Sequence, residues 1–175
     1  MRRRRFLLAL FSSVVLHGAF AQQTRTPDVV YVPTPPTVVQ GMLKLANITK
    51  NDVVYDLGCG DGRIVIEAAR RYGVRAVGID IDPKRIAEAR ANAKAAGVEN
   101  RVEFRVGDLF EADLRGATVV TLYLLPRLNM KLMPKLQREL SKGARIVSHA
   151  FDMDEWKPDQ EADVNGNTVY LWIVK

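Results

Sequence analysis

The glycine-rich loop after the first predicted strand is the sequence feature that most constrains the fold. An apolar run over residues 53–57 ends in Asp56-Leu57, and glycine then alternates with other residues over 58–62. Glycine has no Cβ and readily adopts positive φ, so such a loop lets the backbone approach a ligand closely. A helix predicted to begin at Arg63 adds unpaired backbone N–H groups beside the loop. The pattern therefore predicts a strand–loop–helix unit that binds a ligand at the carboxyl end of the strand.

The spacing of the glycines excludes two common nucleotide-binding loops. The dinucleotide pattern G-x-G-x-x-G fails, because Arg63 stands where the third glycine is required. A phosphate-binding G-x-x-x-x-G-K-[ST] loop is absent from the sequence. The remaining pattern, D-x-G-x-G-x-G over residues 56–62, resembles motif I of the class I S-adenosylmethionine-dependent methyltransferases.

Short apolar runs alternate with helical patterns along the rest of the chain. Strands are predicted at 53–57, 76–79, 102–106, 118–122 and 144–148, and helices at 35–47, 63–72, 83–96 and 128–140. Thr34 is the predicted N-cap of the first helix. This alternation favours a parallel sheet with helices on both faces, and Asn165-Gly166 is typical of a hairpin turn between two final strands. We therefore predict an α/β fold: a Rossmann-like, doubly wound, mostly parallel seven-stranded sheet with a C-terminal antiparallel hairpin.

Two more acids end predicted strands at the edge that carries the glycine loop. Asp80 ends the second strand and Asp108 follows the third. An acid about 20 residues beyond the glycines is placed to accept hydrogen bonds from ribose hydroxyls. The methyltransferase resemblance implies that Asp108 accepts from the adenine amine while an apolar neighbour packs on the ring. The resemblance implies S-adenosyl-L-methionine as the cofactor and assigns its binding to eight residues: Asp56, Gly58, Cys59, Gly60, Asp80, Ile81, Asp108 and Leu109.

The residues after the fourth predicted strand bear on the methyl acceptor. Methyltransferases of adenine or of glutamine amides carry an N/D-P-P-Y/F motif there, whereas this chain has Leu-Tyr-Leu-Leu-Pro over 122–126. The chain is similar to the small lysine methyltransferases that modify the adenine nucleotide translocase and the ATP synthase c-subunit. The similarity rests on residues 31–34, 56–65 and 143–148, with Asp80 where that group often has glutamate. It implies an enzyme that transfers methyl to a lysine side-chain amine of a protein.

A lysine acceptor must lose a proton before it is methylated, because an ammonium group has no lone pair. Three residues expected near the mouth of the site are catalytic candidates: Tyr31, His149 and Asp152. His149 can titrate near neutral pH, which suits a base. A structural role, in which a histidine at the end of a strand is bonded to the backbone, is at least as good an interpretation. Tyr123 and Trp156 are predicted to be core side chains rather than walls of the acceptor site.

Other functions are compatible with parts of the pattern. The acceptor could be a small molecule, or the domain could bind the cofactor without catalysis, and product formation distinguishes these alternatives. A nicotinamide oxidoreductase is disfavoured by Arg63. The single cysteine, Cys59, excludes an internal disulfide and a cysteine-only metal site. We expect a monomer without a bound metal.

The N-terminus has the pattern of a targeting segment. Four arginines precede an apolar run over 6–16 and an Ala-Phe-Ala ending at 19–21, as in a cleaved export signal. The apolar stretch is short for a membrane span, so a membrane anchor is the second interpretation and a cytoplasmic protein the third. We divide the chain into this segment (1–21), an extended proline-rich arm (22–34) and the methyltransferase domain (35–175).

This segment also holds most of the net charge. The whole sequence has 26 Lys and Arg against 20 Asp and Glu, a net charge of +6. Removing residues 1–21 removes four arginines and no acid, which leaves 22 basic against 20 acidic residues and a net charge of +2. We therefore expect no nucleic-acid partner. Membrane proximity would come through the N-terminal segment alone, and export would separate the enzyme from a cofactor made in the cytoplasm.

Overall fold

A seven-stranded sheet forms the centre of the domain in the computed structural model, which describes residues 30–175. The strands are β1 (Val53–Leu57), β2 (Arg75–Asp80), β3 (Val102–Val106), β4 (Val119–Leu122), β5 (Arg145–His149), β6 (Gln160–Val164) and β7 (Asn167–Ile173). Their order in the sheet is β3-β2-β1-β4-β5-β7-β6. Strands β1 to β5 are parallel, and β7 runs antiparallel to both β5 and β6. The predicted fold class is confirmed.

Within residues 30–175, four helices cover the two faces of the sheet and create two cores. The helices are α1 (Pro36–Leu45), α2 (Arg63–Tyr72), α3 (Pro83–Ala95) and α4 (Pro126–Glu139). The first three contribute buried residues to one core, and α4 contributes to the other together with Trp172. Since side chains alternate across a strand, Val54 lies in the first core while Tyr55 and Leu57 lie in the second.

The start of α1 differs from the prediction. Thr34 is not the N-cap: Pro35 occupies that position, and no side chain caps the helix. The Thr34 hydroxyl oxygen lies instead 3.3 Å from His149 Nδ1. The first turn of α1 carries a proline, which lacks an N–H, so the helix has one fewer donor to satisfy there. Thr34 is therefore available for a contact with the sheet.

The C-terminal hairpin forms as predicted. Asn165 and Gly166 link β6 to β7 with φ angles of 53° and 77°. Two consecutive positive φ values suit the twist of an antiparallel pair, which explains why Asn-Gly is favoured at such turns. The hairpin places Asn167, the first residue of β7, near the carboxyl end of β5.

The order of the strands creates a crevice between β1 and β4. The chain leaves β1 toward β2 on one side and returns later to β4 on the other, so the loops after these strands diverge. Such a switch point is where open α/β sheets bind ligands. The glycine loop follows β1 directly, so the topology places it at this crevice.

The predicted targeting segment, residues 1–21, lies outside the described residues, and the predicted arm is described only from residue 30 onward. Among residues 30–175, no helix is both long and apolar enough to span a membrane.

Candidate functional site

A cavity at the carboxyl edge of β1, β2 and β4 brings the predicted cofactor residues together. Seven of the eight line it: Asp56, Gly58, Cys59, Asp80, Ile81, Asp108 and Leu109. The eighth, Gly60, is buried just beneath, within the same loop. Residues 30–34 of the arm and residues 123–124 after β4 complete the lining. Five separate stretches of sequence therefore contribute to one site.

The glycine loop is held in place by backbone hydrogen bonds to the end of β2. The amides of Gly58 and Cys59 both donate to the Ile79 carbonyl, at 2.8 and 3.0 Å. Gly58, Gly60 and Gly62 have φ angles of 82°, 52° and 79°. This left-handed region favours glycine over residues with a Cβ. The alternating glycines are thus explained by the conformation of the loop.

Asp80, the last residue of β2, is hydrogen-bonded to the glycine loop. Its Oδ2 accepts a hydrogen bond from the Gly60 amide at 2.8 Å, and its Oδ1 accepts from the Asp82 amide at 2.9 Å. Each carboxylate oxygen can accept a second hydrogen bond. A carboxylate fixed in this way can therefore also accept from the two hydroxyls of a ribose without moving.

Asp56 is a buried carboxyl group beside the cavity. The pKa of Asp56 is raised to about 7, mainly by burial and also by the charges of Asp80 and Asp61, against a hydrogen bond from Thr121 that lowers it. The Thr121 hydroxyl donates to Asp56 Oδ1 at 2.7 Å. A cationic ligand in the cavity would favour the ionised form of this carboxyl group. The site thus holds a group whose charge responds to a bound cation.

Tyr31, one of the predicted catalytic residues, lies over the glycine loop. A Cβ on Gly60 would come within 2.1 Å of Tyr31 Cε2, so the ring rests directly on that glycine. The guanidinium carbon of Arg85 lies 4.9 Å from the ring centroid on the cavity side, an arrangement typical of a cation–π contact. Burial raises the pKa of Tyr31, and the negative charge of Asp61 adds to this. The phenol is therefore protonated at neutral pH.

A second contact fastens the arm to the loop. Arg63 donates from Nη1 to the Thr34 carbonyl at 2.9 Å, and its Nη2 lies 2.6 Å from Asp61 Oδ2. The pKa of Asp61 is lowered, because hydrogen bonds and charge from Arg63 outweigh the effect of its burial. Arg63 thus ties the first residue of α2 to both the arm and the loop.

The other two predicted catalytic residues do not line the cavity. His149 is 2% exposed, and its Nδ1 and Nε2 lie 3.3 Å from Thr34 Oγ1 and Asn167 Oδ1. Burial lowers the pKa of His149. Asp152 is half-buried in the loop after β5, where its Oδ1 accepts from the Asp154 amide at 3.3 Å. Of the three candidates, only Tyr31 is at the cavity, because the chain turns away from it after β5.

Tyr123 is a cavity residue that the sequence interpretation missed. It was expected in the core, but it is half-buried and lines the cavity immediately after β4. Its ring centroid lies 4.0 Å from that of His149 and 6.3 Å from that of Phe151. Its place directly after the fourth strand, where related enzymes carry their acceptor motif, was the available signal.

Trp156 behaves as predicted. It is half-buried, packs against the second core and does not line the cavity. Its ring centroid lies 6.3 Å from that of Trp172, and its carbonyl accepts a hydrogen bond from Trp172 Nε1 at 2.6 Å. These contacts explain why an aromatic residue occupies this position.

The shape and chemistry of the cavity fit S-adenosylmethionine. A Cβ on Gly58 would lie 3.1 Å from Leu124 Cδ2, so the glycine leaves room where the loop faces β4. Asp80 offers acceptors for a ribose, and Ile81 and Leu109 offer apolar walls for a base. The acidic groups around the cavity suit a sulfonium and an ammonium. Fold and site together define a class I S-adenosylmethionine-dependent methyltransferase.

Comparison with known proteins agrees with this class and specifies the family. Residues 56–160 match the family model described as the ANTKMT methyltransferase domain, and the chain belongs to this family. It is 48% identical over 153 residues to a protein-lysine N-methyltransferase of Saccharolobus islandicus, a match covering 85% of this chain and 95% of that protein. It is 35% identical over 161 residues to the adenine nucleotide translocase lysine N-methyltransferase of Mus musculus, covering 91% and 69%. The predicted resemblance is confirmed.

A solved structure supports the cofactor. The chain is similar, with a TM-score of 0.81 and 60% identity, to a protein described as an RNA methyltransferase from Salinibacter ruber in complex with S-adenosyl-L-homocysteine. The similarity covers 82% of this chain and 94% of that one. S-adenosylhomocysteine is what remains of the cofactor after methyl transfer. The predicted cofactor is therefore confirmed.

Replacing Gly60 by alanine should weaken cofactor binding, because the new Cβ would displace Tyr31. Gly97→Ala is the matched control: Gly97 also has a positive φ, 68°, but a Cβ there meets nothing within 4 Å. Both changes should cost about 1 kcal/mol of stability from backbone strain. We expect only Gly60→Ala to weaken S-adenosylhomocysteine binding, about tenfold, in isothermal titration. Equal affinities in the two variants would contradict the assigned contact.

Asp80→Ala should remove most of the affinity for S-adenosylmethionine, because it deletes the ribose acceptor and releases the Gly60 amide. We expect the Kd to rise at least about a hundredfold, measured by isothermal titration. Asp113→Ala serves as the control, since Asp113 is an exposed acid paired with Arg115 away from the cavity. An Asp80→Ala variant that binds as tightly as the control would disprove this assignment.

Proposed function

We propose that this methyltransferase modifies a lysine side-chain amine of a protein. The acidic lining of the cavity carries the proposal. It contains five acids, Asp56, Asp61, Asp80, Asp82 and Asp108, against two arginines, Arg63 and Arg85. Each arginine has an acidic partner, with Arg85 lying 2.8 Å from Glu88. A cavity of this charge attracts a cationic acceptor.

The names of the relatives support the same acceptor. The proteins from Saccharolobus islandicus and Mus musculus are both named as lysine N-methyltransferases. The absence of an N/D-P-P-Y/F motif after β4 also argues against a planar amide or adenine amine as acceptor. The charge of the cavity lining and the names of the relatives therefore both favour a lysine amine as the acceptor.

The chain's own residues bind and orient the reactants. When bound, S-adenosylmethionine supplies a methyl group that its sulfonium has already activated. The glycine loop and Asp80 would hold the nucleoside, while Asp56 would face the cationic part. Tyr31 and Tyr123 both line the cavity and would contact the acceptor amine from the arm and from the end of β4. The protonated Tyr31 phenol can orient the amine through a hydrogen bond, and holding the reactants in line provides much of the rate increase.

RNA is the second candidate acceptor, because the 60% identical structure is described as an RNA methyltransferase. Binding of RNA depends largely on neutralising its phosphates with lysine and arginine. The acidic cavity lining opposes this, and the chain from residue 22 onward has a net charge of only +2. We therefore place RNA behind protein lysine, as an alternative outcome of the experiment below.

Incubation with methyl-labelled cofactor and a cell lysate should label protein, with the label recovered on lysine after acid hydrolysis. Protease should remove the high-molecular-weight label, and ribonuclease should leave it. The Asp80→Ala variant is the control for cofactor-dependent labelling. Label that ribonuclease removes would establish RNA as the acceptor, and label found in small molecules alone would also reject the lysine proposal.

The targeting segment is proposed on sequence grounds alone. Residues 1–21 combine a basic start, an apolar run and a small-residue ending, and we propose that they export the protein or anchor it to a membrane. An exported enzyme would need cofactor supplied from the cytoplasm. N-terminal sequencing of the native protein should find a start at Gln22 after cleavage, whereas an intact Met1 in a membrane fraction would indicate an anchor.

A further inference from the structure

His149 is buried behind Tyr123 and contacts three parts of the chain. Its ring lies 4.0 Å from the Tyr123 ring, centroid to centroid, with 32° between the planes. One ring nitrogen faces Thr34, which precedes α1, and the other faces Asn167 at the start of β7. Tyr123 lines the cavity and His149 does not, so the tyrosine is the part of this cluster that a bound acceptor would meet.

The neighbours of Asn167 determine the tautomer of His149. Asn167 Nδ2 donates to the carbonyls of Val164 and Asn165 at 3.3 and 3.2 Å. Its Oδ1 therefore faces the histidine, and an amide oxygen can only accept. Nε2 must then carry the hydrogen, which leaves Nδ1 to accept from the Thr34 hydroxyl. Both ring nitrogens are engaged in hydrogen bonds. His149 therefore has no free lone pair that could take a proton from an acceptor amine.

Phe151 is the second aromatic neighbour of Tyr123, and its backbone is held by hydrogen bonds. Its ring is stacked at 15° to the Tyr123 ring with centroids 6.3 Å apart. Its carbonyl accepts hydrogen bonds from Ser148 Oγ at 2.6 Å and from the buried Asn129 Nδ2 at 3.2 Å. Tyr123 thus has two aromatic neighbours, His149 and Phe151, and both come from the carboxyl end of β5.

We propose that His149 is a positioning residue that holds the Tyr123 ring against the acceptor side of the cavity and links it to the arm through Thr34. The proposal rests on the proposed function, since it takes the acceptor to be an amine that binds beside Tyr123. An aromatic face attracts ammonium and methylammonium groups. Holding that face in place would orient the amine toward the cofactor.

The arm connects Tyr123 and His149, on the acceptor side of the cavity, to the glycine loop on the cofactor side. Thr34 contacts His149 through its hydroxyl, and its carbonyl accepts from Arg63 beside the glycine loop. Three residues earlier, Tyr31 rests on Gly60. A single segment of four residues, 31–34, therefore touches both the cofactor loop and the group that positions Tyr123.

Steady-state kinetics with poly-L-lysine as acceptor, together with cofactor titration, test the proposal. His149→Ala should raise the acceptor KM about tenfold and leave the cofactor Kd within about threefold of wild type. His149→Phe retains a ring against Tyr123 and should bring the KM back to within about threefold. Thr34→Val removes the same hydrogen bond that His149→Phe loses, so it should give a comparable KM, raised above wild type but by no more than about threefold.

Tyr170→Ala is the matched control, because Tyr170 is a half-buried aromatic residue of β7 paired with Ser148, outside the cavity. It should leave the acceptor KM unchanged. The proposal is overturned if this control raises the KM as His149→Ala does, if the cofactor Kd rises in parallel with the KM, or if His149→Phe fails to restore it. An unchanged KM in Thr34→Val would overturn the link to the arm.

A readout that needs no acceptor separates this proposal from the proposed function. In protein with ¹³C-labelled tyrosine, the line shapes of the Tyr123 ring signals should show faster flipping of the ring in His149→Ala, and His149→Phe should keep the wild-type flipping rate. If the wild-type protein methylates no lysine, the proposed function fails, and the ring signals still report on positioning. Unchanged Tyr123 signals in His149→Ala would refute positioning, whatever the acceptor.

Discussion

The contact between the Asp80 carboxylate and the Gly60 amide is the interaction on which the rest of the site depends. It joins the loop after β1 to the last residue of β2, with the second carboxylate oxygen held by the Asp82 amide. Because the loop has three glycines in the left-handed region, few side chains restrain it, and this hydrogen bond adds to the backbone bonds from Gly58 and Cys59 to the Ile79 carbonyl. The loop in turn forms the surface on which Tyr31 rests. One carboxylate thus holds the glycine loop to the second strand and, through the loop, supports the surface on which the arm rests.

Charge is distributed unevenly in this protein, and the unevenness bears on function. The chain is basic overall, yet the cavity is lined by five acids and two arginines that are already paired. An acidic cavity favours the cationic cofactor and a cationic acceptor together, although the acceptor must still lose its proton before it reacts. The description of one 60% identical structure as an RNA methyltransferase stands against the lysine names of other relatives. The charge of the lining, a property of this chain itself, favours lysine.

The elements that local patterns specify were predicted well. Strands β1 and β3 and helix α2 have the predicted bounds, and the other boundaries differ by one or two residues, because helix and strand ends depend on neighbouring contacts. The clustering of the candidate cofactor residues was also predicted, since Asp80 ends β2 and Asp108 follows β3, and the carboxyl ends of parallel strands share one edge. On the acceptor side, of the three catalytic candidates only Tyr31 lines the cavity. His149 was a candidate base, yet its two partners lie 115 and 18 residues away in sequence, and they engage both of its nitrogens.

By itself, the sequence determined the strand–loop–helix unit, the order of the elements and the class of cofactor. The unit and the order of the elements depend on short-range sterics: glycine at positive φ, alternation along strands and turns of Asn-Gly. The class of cofactor followed from the resemblance of the glycine motif to motif I of the class I methyltransferases. Only the tertiary structure decided that Tyr123 faces the cavity, that His149 is buried behind it, and that the arm crosses the glycine loop. Those outcomes depend on packing between segments far apart in the chain, such as Thr34 against His149 and Tyr31 against Gly60, and no local pattern encodes the direction in which such side chains point.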